Sequence, residues 1–172
     1  VEGALPETVE VVSISTADAG ARATLISEWN SGAGLVHFAG HGAANFWGSS
    51  ANALSDSDAR GLANGGRLPV VLVSNCMSAN FTLPVTACIG EDLVVNPGGG
   101  AIGVFASSGL TRPLGQSELH RAFAAAMYDG DCPRIGDLAD EARRRVYELG
   151  NFHHDALKTW TLLADPATRV GN

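Results

Sequence analysis

Two side chains in this sequence are of the types that, brought together, perform nucleophilic catalysis. His41 is the second histidine of the run H-F-A-G-H-G at residues 37–42, and Cys76 sits inside V-S-N-C-M-S-A-N-F at residues 73–81. A thiolate is a strong nucleophile, and an imidazole beside it activates the thiol or protonates a leaving group. The glycines at 40 and 42 suit the imidazole position, because backbone N–H groups can come close to a substrate oxygen there. Each residue follows a short apolar run, GLVHF at 34–38 before His41 and LPVVLVS at 68–74 before Cys76. Both runs read as strands covered on both faces. Ligands of open α/β sheets bind beyond the carboxyl ends of the strands, and neighbouring strands lie ~4.8 Å apart. The 35 residues from His41 to Cys76 suffice for a crossover helix and a return strand. The same residue types carry a plainer reading. A cysteine at a strand end is often a small buried hydrophobe, and a histidine among glycines is often a turn residue. Types and spacing alone leave both readings open.

The elements that would position this pair alternate along the chain. Short apolar runs are separated by amphipathic stretches, the pattern of an α/β fold with a mostly parallel sheet. Residues 9–14 (VEVVSI) predict a first strand, and Asp18 an N-cap for a helix over 19–29. Ser55 predicts the cap of a helix ending near Asn64-Gly65-Gly66. A helix over 85–95 stops at Asn96-Pro97-Gly98, and GAIGVFA at 100–106 predicts the next strand. Helices over 116–128 and 135–149 and a last strand over 159–163 complete the reading. No linker or repeat divides the chain, so a single domain over 1–172 is expected. Ser107, Ser108 and Gly109 follow the strand after the cysteine strand at the same carboxyl edge, which predicts that they line a substrate channel.

Composition excludes several classes. Of 172 residues 45% are hydrophobic and 17% charged, which sets disorder aside. A net charge of −7 argues against a nucleic-acid partner. Cys76, Cys88 and Cys132 are too few for a disulfide scaffold, and no apolar run approaches the ~18 residues of a membrane span. The chain starts at Val1 without a signal-peptide pattern, so it is expected to be a piece of a longer precursor. Gly98, Gly100 and Gly103 satisfy G-x-G-x-x-G but lead into a strand instead of opening a helix, so no dinucleotide is expected. His37 and His41 lack the further ligands of a metal site, and His37 is expected to face the strand or the core. His153 and His154 are expected in a solvated loop, Asp56 and Asp58 as helix-start acids, and Arg143 to Arg145 on an ion-paired face. Cys88, in VTACIGEDLV, is expected to be buried and inert, and Cys132 to lie in a loop beside Pro133. Trp47 is expected either to pack over the His41 loop or to touch substrate.

An ordered set of motifs goes further. H-F-A-G-H-G, Trp47 six residues after His41, Leu62-Ala63-Asn64, Phe81 five residues after Cys76, and Gly90-Glu91 come one after another. Asn96-Pro97, Gly98 to Ile102, Ser107-Ser108-Gly109 and the terminal Leu163-Ala164-Asp165-Pro166-Ala167 continue the set. Together they resemble the gingipain family of cysteine peptidases, with Ala164 where that family usually has Gly. The resemblance implies a caspase-like three-layer sandwich with helices on both faces of the sheet. It implies a His41–Cys76 dyad, an oxyanion hole from the Gly42 and Cys76 N–H groups, and an endopeptidase working through a thioester on a polypeptide substrate. No cofactor is implied, calcium being the one ion left open, with unknown ligands. The implied setting is extracellular or the cell surface. The family's His-orienting acid and part of its substrate pocket lie upstream of the first strand, so a second segment of the same precursor, or a neighbouring domain, is an expected partner. Rival readings are a non-catalytic caspase-like module that binds peptide, a sortase-like transpeptidase, and the related caspase-like domain found in a leucine-rich sensor context. The cysteine-to-Phe81 spacing and the D-P-A ending favour the gingipain branch over the last.

Overall fold

The runs at 70–74 and 103–107 have no polar face, so they can sit only where helices cover both sides of a sheet. They do so in the computed structural model, which describes residues 2–49, 52–84, 86–130, 134–150 and 153–170. A four-stranded sheet has the order β1-β5-β6-β7, with β1 at Leu35–Ala39, β5 at Val70–Ser74, β6 at Gly103–Ser107 and β7 at Trp160–Leu163. The first three strands are parallel and β7 is antiparallel to β6. Every residue of β5 and β6 is buried. Alternate residues enter opposite cores. Val71, Val73, Val104 and Ala106 pack with Trp29, Ile89 and Leu93 of α1 (Ala21–Ser31) and α3 (Ile89–Val95). Val70, Leu72 and Phe105 pack with α4 (Pro113–Asp129), α5 (Ile135–Glu148) and α6 (His154–Thr159). The short α2 (Asp56–Gly61) lies against α3. Three layers result, as the motifs implied.

A second, three-stranded sheet of antiparallel pairs directly follows β1: β2 (Gly42–Ala43), β3 (Phe46–Trp47) and β4 (Leu54–Ser55). Strands of two residues are too short for alternation to reveal, so no pattern in the sequence marks them. Ser55 does cap α2, in a capping box with Asp58. Burial pushes the Asp58 carboxyl up, but hydrogen bonds from Arg22 and Ser55 more than offset it and hold it below its ordinary value.

Several expectations need correction. Residues 9–14 form no strand and are mostly exposed. Asp18 does not cap α1 with its side chain. Gly20, in the left-handed region at φ 85°, is the N-cap, and the Asp18 carbonyl accepts from Ala21 N–H at 3.2 Å. The helix expected over 85–95 begins at Ile89, where Cys88 N–H donates to Glu91 Oε2 at 2.8 Å; Val85 lies outside the described residues. Residues 154–159 form α6, and His153 at its N-cap is buried, not solvated. Cys132 lies outside the described residues. The arginine run is ion-paired as expected, with Arg144 and Arg145 both on Glu141 at 2.7 Å.

One buried group links the core to the sheet edge. His120, fully buried on α4, lies with Nδ1 2.7 Å from Ser74 Oγ and edge-on to Trp160 at 5.3 Å. Burial first, and then the nearby His37, hold its pKa well below the ordinary 6.5. A lowered folded-state pKa means that the unfolded chain binds the proton more readily. His120 therefore adds stability above about pH 6.5, and that stability is lost as the pH falls below it. Unfolding free energies from urea titrations between about pH 7.5 and pH 5 are expected to fall on acidification, by at most about 1.4 kcal/mol per pH unit for this one proton. His120→Leu should flatten that slope, and an unchanged slope would refute the assignment.

Candidate active site

The last rung of the β1–β5 ladder sets the geometry. Ala39 is the register partner of Ser74, and Gly40 N–H donates to the Ser74 carbonyl at 3.0 Å. His41 follows Gly40 directly and Cys76 follows Ser74 by two residues, so both leave the sheet at the same carboxyl edge. Apart from the sheet, the two loops are tied to each other from below.

On the histidine side, Gly48 N–H donates to the His41 carbonyl at 2.8 Å, and Gly42 faces Trp47 across the β2–β3 pair. In an antiparallel pair the bonded and non-bonded positions alternate. Bonding at 41/48 therefore turns the N–H of Gly42 away from β3. A β-carbon at Gly42 would collide with Asn75 Nδ2 and come within 2.9 Å of the Phe46 carbonyl, so only glycine fits. Trp47 is fully buried, stacked on Phe38 with centroids 5.1 Å apart and planes 12° apart, and its indole N–H donates to Ser78 Oγ at 3.1 Å. It holds the hairpin to the cysteine loop from inside. With no surface of its own it cannot contact substrate, which corrects that alternative.

On the cysteine side, Cys76 is half-buried with Sγ 3.8 Å from the Thr111 carbonyl. Met77, next to it, has φ 68°, the one non-glycine residue with positive φ among the described residues. Such a conformation persists only where its surroundings fix it, and it clusters at functional sites. Met77 N–H donates to the Gly109 carbonyl at 3.2 Å and Ala79 N–H to the Ser107 carbonyl at 3.0 Å. Cys76 N–H has no acceptor among the described residues. Gln116, buried on α4, reaches Thr111 Oγ1 at 2.6 Å and the Asn75 carbonyl at 3.4 Å.

The 107–109 loop divides. Ser107 is fully buried, its Oγ 2.9 Å from the Gly109 carbonyl and 3.0 Å from Thr159 Oγ1, so it braces the wall and does not line a channel. Ser108 and Gly109 are half-buried and reach the surface beside Cys76. Asn75, Met77, Ser78, Thr111 and Gln116 were not singled out from sequence. Only Asn75, a polar residue closing a buried strand beside the cysteine, carried a usable signal. His37 faces out of the sheet, Nε2 3.4 Å from Ser74 Oγ. Among the described residues no cluster of three or more His, Cys, Asp or Glu side chains is arranged to hold a metal ion.

The model of peptidase family C25 matches residues 6–171. Among solved structures, the chain is similar to the Arg-specific cysteine proteinase gingipain R (RgpB), with TM-score 0.73 and 23% identity over 87% of this chain and 36% of that one. It is similar to a protein described only as a protease, with TM-score 0.74 and 16% identity over 84% of this chain and 37% of that one. It is also similar to the complex of Porphyromonas gingivalis RgpB pro- and mature domains, with TM-score 0.70 and 20% identity over 93% of this chain and 38% of that one. The chain thus spans little more than a third of these structures, and the likeness is one of fold, the caspase-like α/β sandwich. No curated protein matches the sequence.

The two described cysteines differ in a way that alkylation reads. Cys76 is half-buried at the sheet edge, whereas Cys88 has no exposed surface and burial pushes its thiol up to about 11. Brief iodoacetamide treatment near neutral pH followed by peptide mapping should modify Cys76 and spare Cys88. Modification of Cys88 at the same rate or faster would contradict this site.

Proposed function

Because the chain belongs to peptidase family C25, we propose that it carries the nucleophile and the histidine of a cysteine endopeptidase, Cys76 and His41. The observation that carries the reading is the shared sheet edge, where the β1–β5 register sets the two loops side by side. Cys76 Sγ attacks the scissile carbonyl carbon as the thiol proton passes to His41. The C–N bond then breaks, His41 gives its proton to the leaving amine, and a thioester remains. Water attacks the thioester while His41 accepts its proton, and thiol and acid product separate. The Gly42 N–H, turned away from β3, and the Cys76 N–H, without an acceptor among the described residues, are suited to the developing oxyanion. Ser108 and Gly109 form a rim of small residues along which a substrate backbone can lie by strand addition.

The polypeptide substrate is thus the first partner. The second is a further segment of the same precursor, or a neighbouring domain, which supplies the acid that orients His41. In support, His41 is exposed and pairs with no carboxylate among the described residues. An extracellular or cell-surface setting goes with this reading, and no described helix is long and apolar enough to cross a membrane.

Hydrolysis of a fluorogenic peptide library varied at the residue before the scissile bond tests the reading. Cys76→Ala should abolish cleavage. His41→Ala should lower kcat by about 10²–10⁴-fold with the circular dichroism spectrum unchanged. His37→Ala should act mainly on stability. A folded His41→Ala variant with full activity, or a folded but inactive His37→Ala variant beside it, would overturn the roles. Ser108→Trp should raise KM or stop cleavage without unfolding, and unchanged kinetics would move the substrate channel elsewhere.

A further inference from the structure

Asn75 joins the two N–H groups assigned above to the oxyanion. Its side chain abuts Gly42, where a β-carbon would collide with Asn75 Nδ2 and lie 2.9 Å from Cγ. Its main-chain carbonyl belongs to the same peptide group as the Cys76 N–H. We infer that Asn75 is a positioning residue for the reaction, one that fixes these two N–H groups and turns the positive end of its amide dipole toward the charge developing beside Gly42. The inference rests on the peptidase reading and deepens it.

Stability gives no reason for an amide at this position. Asn75 is 1% exposed, and neither its Nδ2 nor its Oδ1 has a hydrogen-bond partner among the described residues. A buried amide in that state weakens the fold. Leucine has the same branching and no polar atom. Reaction chemistry does give a reason. The amide nitrogen is the atom nearest the missing β-carbon of Gly42, and the amide oxygen is not among the three nearest. The positive end of the dipole therefore faces the Gly42 main chain. The Phe46 carbonyl lies on the same side but does not accept from it. Without an acceptor in the resting site, the dipole finds its favourable interaction only when negative charge appears. That happens as Cys76 Sγ bonds to the scissile carbonyl carbon and the carbonyl π pair moves onto oxygen. An interaction gained only at that point lowers the barrier. A preoriented dipole kept away from water acts there most strongly. Both polar atoms are buried, so Asn75 works through Gly42 and does not touch substrate.

The main chain of Asn75 serves the other half of the site. Its carbonyl accepts from Gln116 Nε2 at 3.4 Å, and the same nitrogen donates to Thr111 Oγ1 at 2.6 Å. The N–H of a planar trans peptide opposes its C=O. Holding the Asn75 carbonyl toward the buried face of α4 therefore turns the Cys76 N–H the other way. No acceptor among the described residues meets it there. One residue thus sets both N–H groups, the first through its side chain and the second through its carbonyl.

Asn75→Leu in the full-length protein tests the inference. Asn75→Ala, which only removes atoms, carries the same kinetic expectation should the leucine not fit. With a peptide substrate, kcat should fall about ten- to a hundredfold while KM stays within about twofold. The unfolding free energy of Asn75→Leu should be no lower than that of the unsubstituted protein, since an unpaired amide has gone. Alkylation of Cys76 by iodoacetamide supplies the control. There a C–S bond forms, iodide leaves, and no charge develops on a carbonyl oxygen, so the rate should stay within about twofold. Unchanged kcat in the folded variants overturns the inference, and so does a loss confined to KM. An equal loss of alkylation would make Asn75 a mere prop of the cysteine loop and would also overturn it. An unsubstituted protein that cleaves no peptide overturns the peptidase reading, and this inference with it. An active one with unaffected variants overturns this inference alone.

Discussion

Everything at the candidate site depends on how β1 and β5 are aligned. Parallel pairing fixes Ala39 opposite Ser74, and the Gly40 N–H bond to the Ser74 carbonyl is its final rung. A slip by one residue would turn every side chain of β1 to the other face. Val36 and Phe38 would leave the core beneath Trp29 and Trp47, and His41 would leave the edge from which Cys76 emerges. Burial of both strands enforces the register, since each has a defined apolar set on the face of the first core. The placement of His41 and Cys76 is therefore held by hydrophobic packing one layer away from them.

The sheet alone does not complete the arrangement, because both residues lie beyond its end. Trp47 connects the loops by stacking on Phe38 and donating to Ser78, two residues past Cys76. Truncating a buried aromatic of this kind costs about 3–5 kcal/mol, and here it would also release the hairpin from the cysteine loop. Glycine at 42 lets that hairpin approach Asn75 closely enough to seat beside Cys76. The Met77 conformation is held by bonds from Met77 and Ala79 to the 107–109 wall. Ser107, buried and bonded at both ends, acts as the fixed point of that wall.

The central strands, the long helices and the positions of His41 and Cys76 were legible because burial on two faces and helical periodicity leave marks in composition. The His41 and Cys76 motifs also carried the family. The three-stranded sheet was not legible, because its strands are two residues long and owe their existence to Trp47 packing beneath them. Residues 9–14 have the composition of a strand but do not form one, and pairing is not a property of the segment alone. Ser107 was misread for a related reason. A serine after a strand looks solvent-facing until pairing of β7 with β6 brings Thr159, the last residue of α6, against it. His153 was misread likewise, since only the docking of α6 on α4 buries it.

Polar groups that the fold leaves unsatisfied gather in the same region. Among the described residues, Asn75 Nδ2 and Oδ1 and Trp160 Nε1 are buried without a hydrogen-bond partner. Asn75 adjoins Cys76, and His120 reaches Ser74 one residue earlier while lying edge-on to Trp160. Each such group costs about 1–3 kcal/mol, a substantial share of a typical domain's stability of about 5–15 kcal/mol. A chain selected for stability alone would place apolar residues there, as it does at Val70 to Val73 of β5. Local rules are broken chiefly where function requires it. The strained Met77 and the orphaned Asn75 amide flank Cys76 directly, and the buried His120 lies behind them at Ser74. Departures from stable packing thus concentrate around the residue that the sheet register presents at its edge.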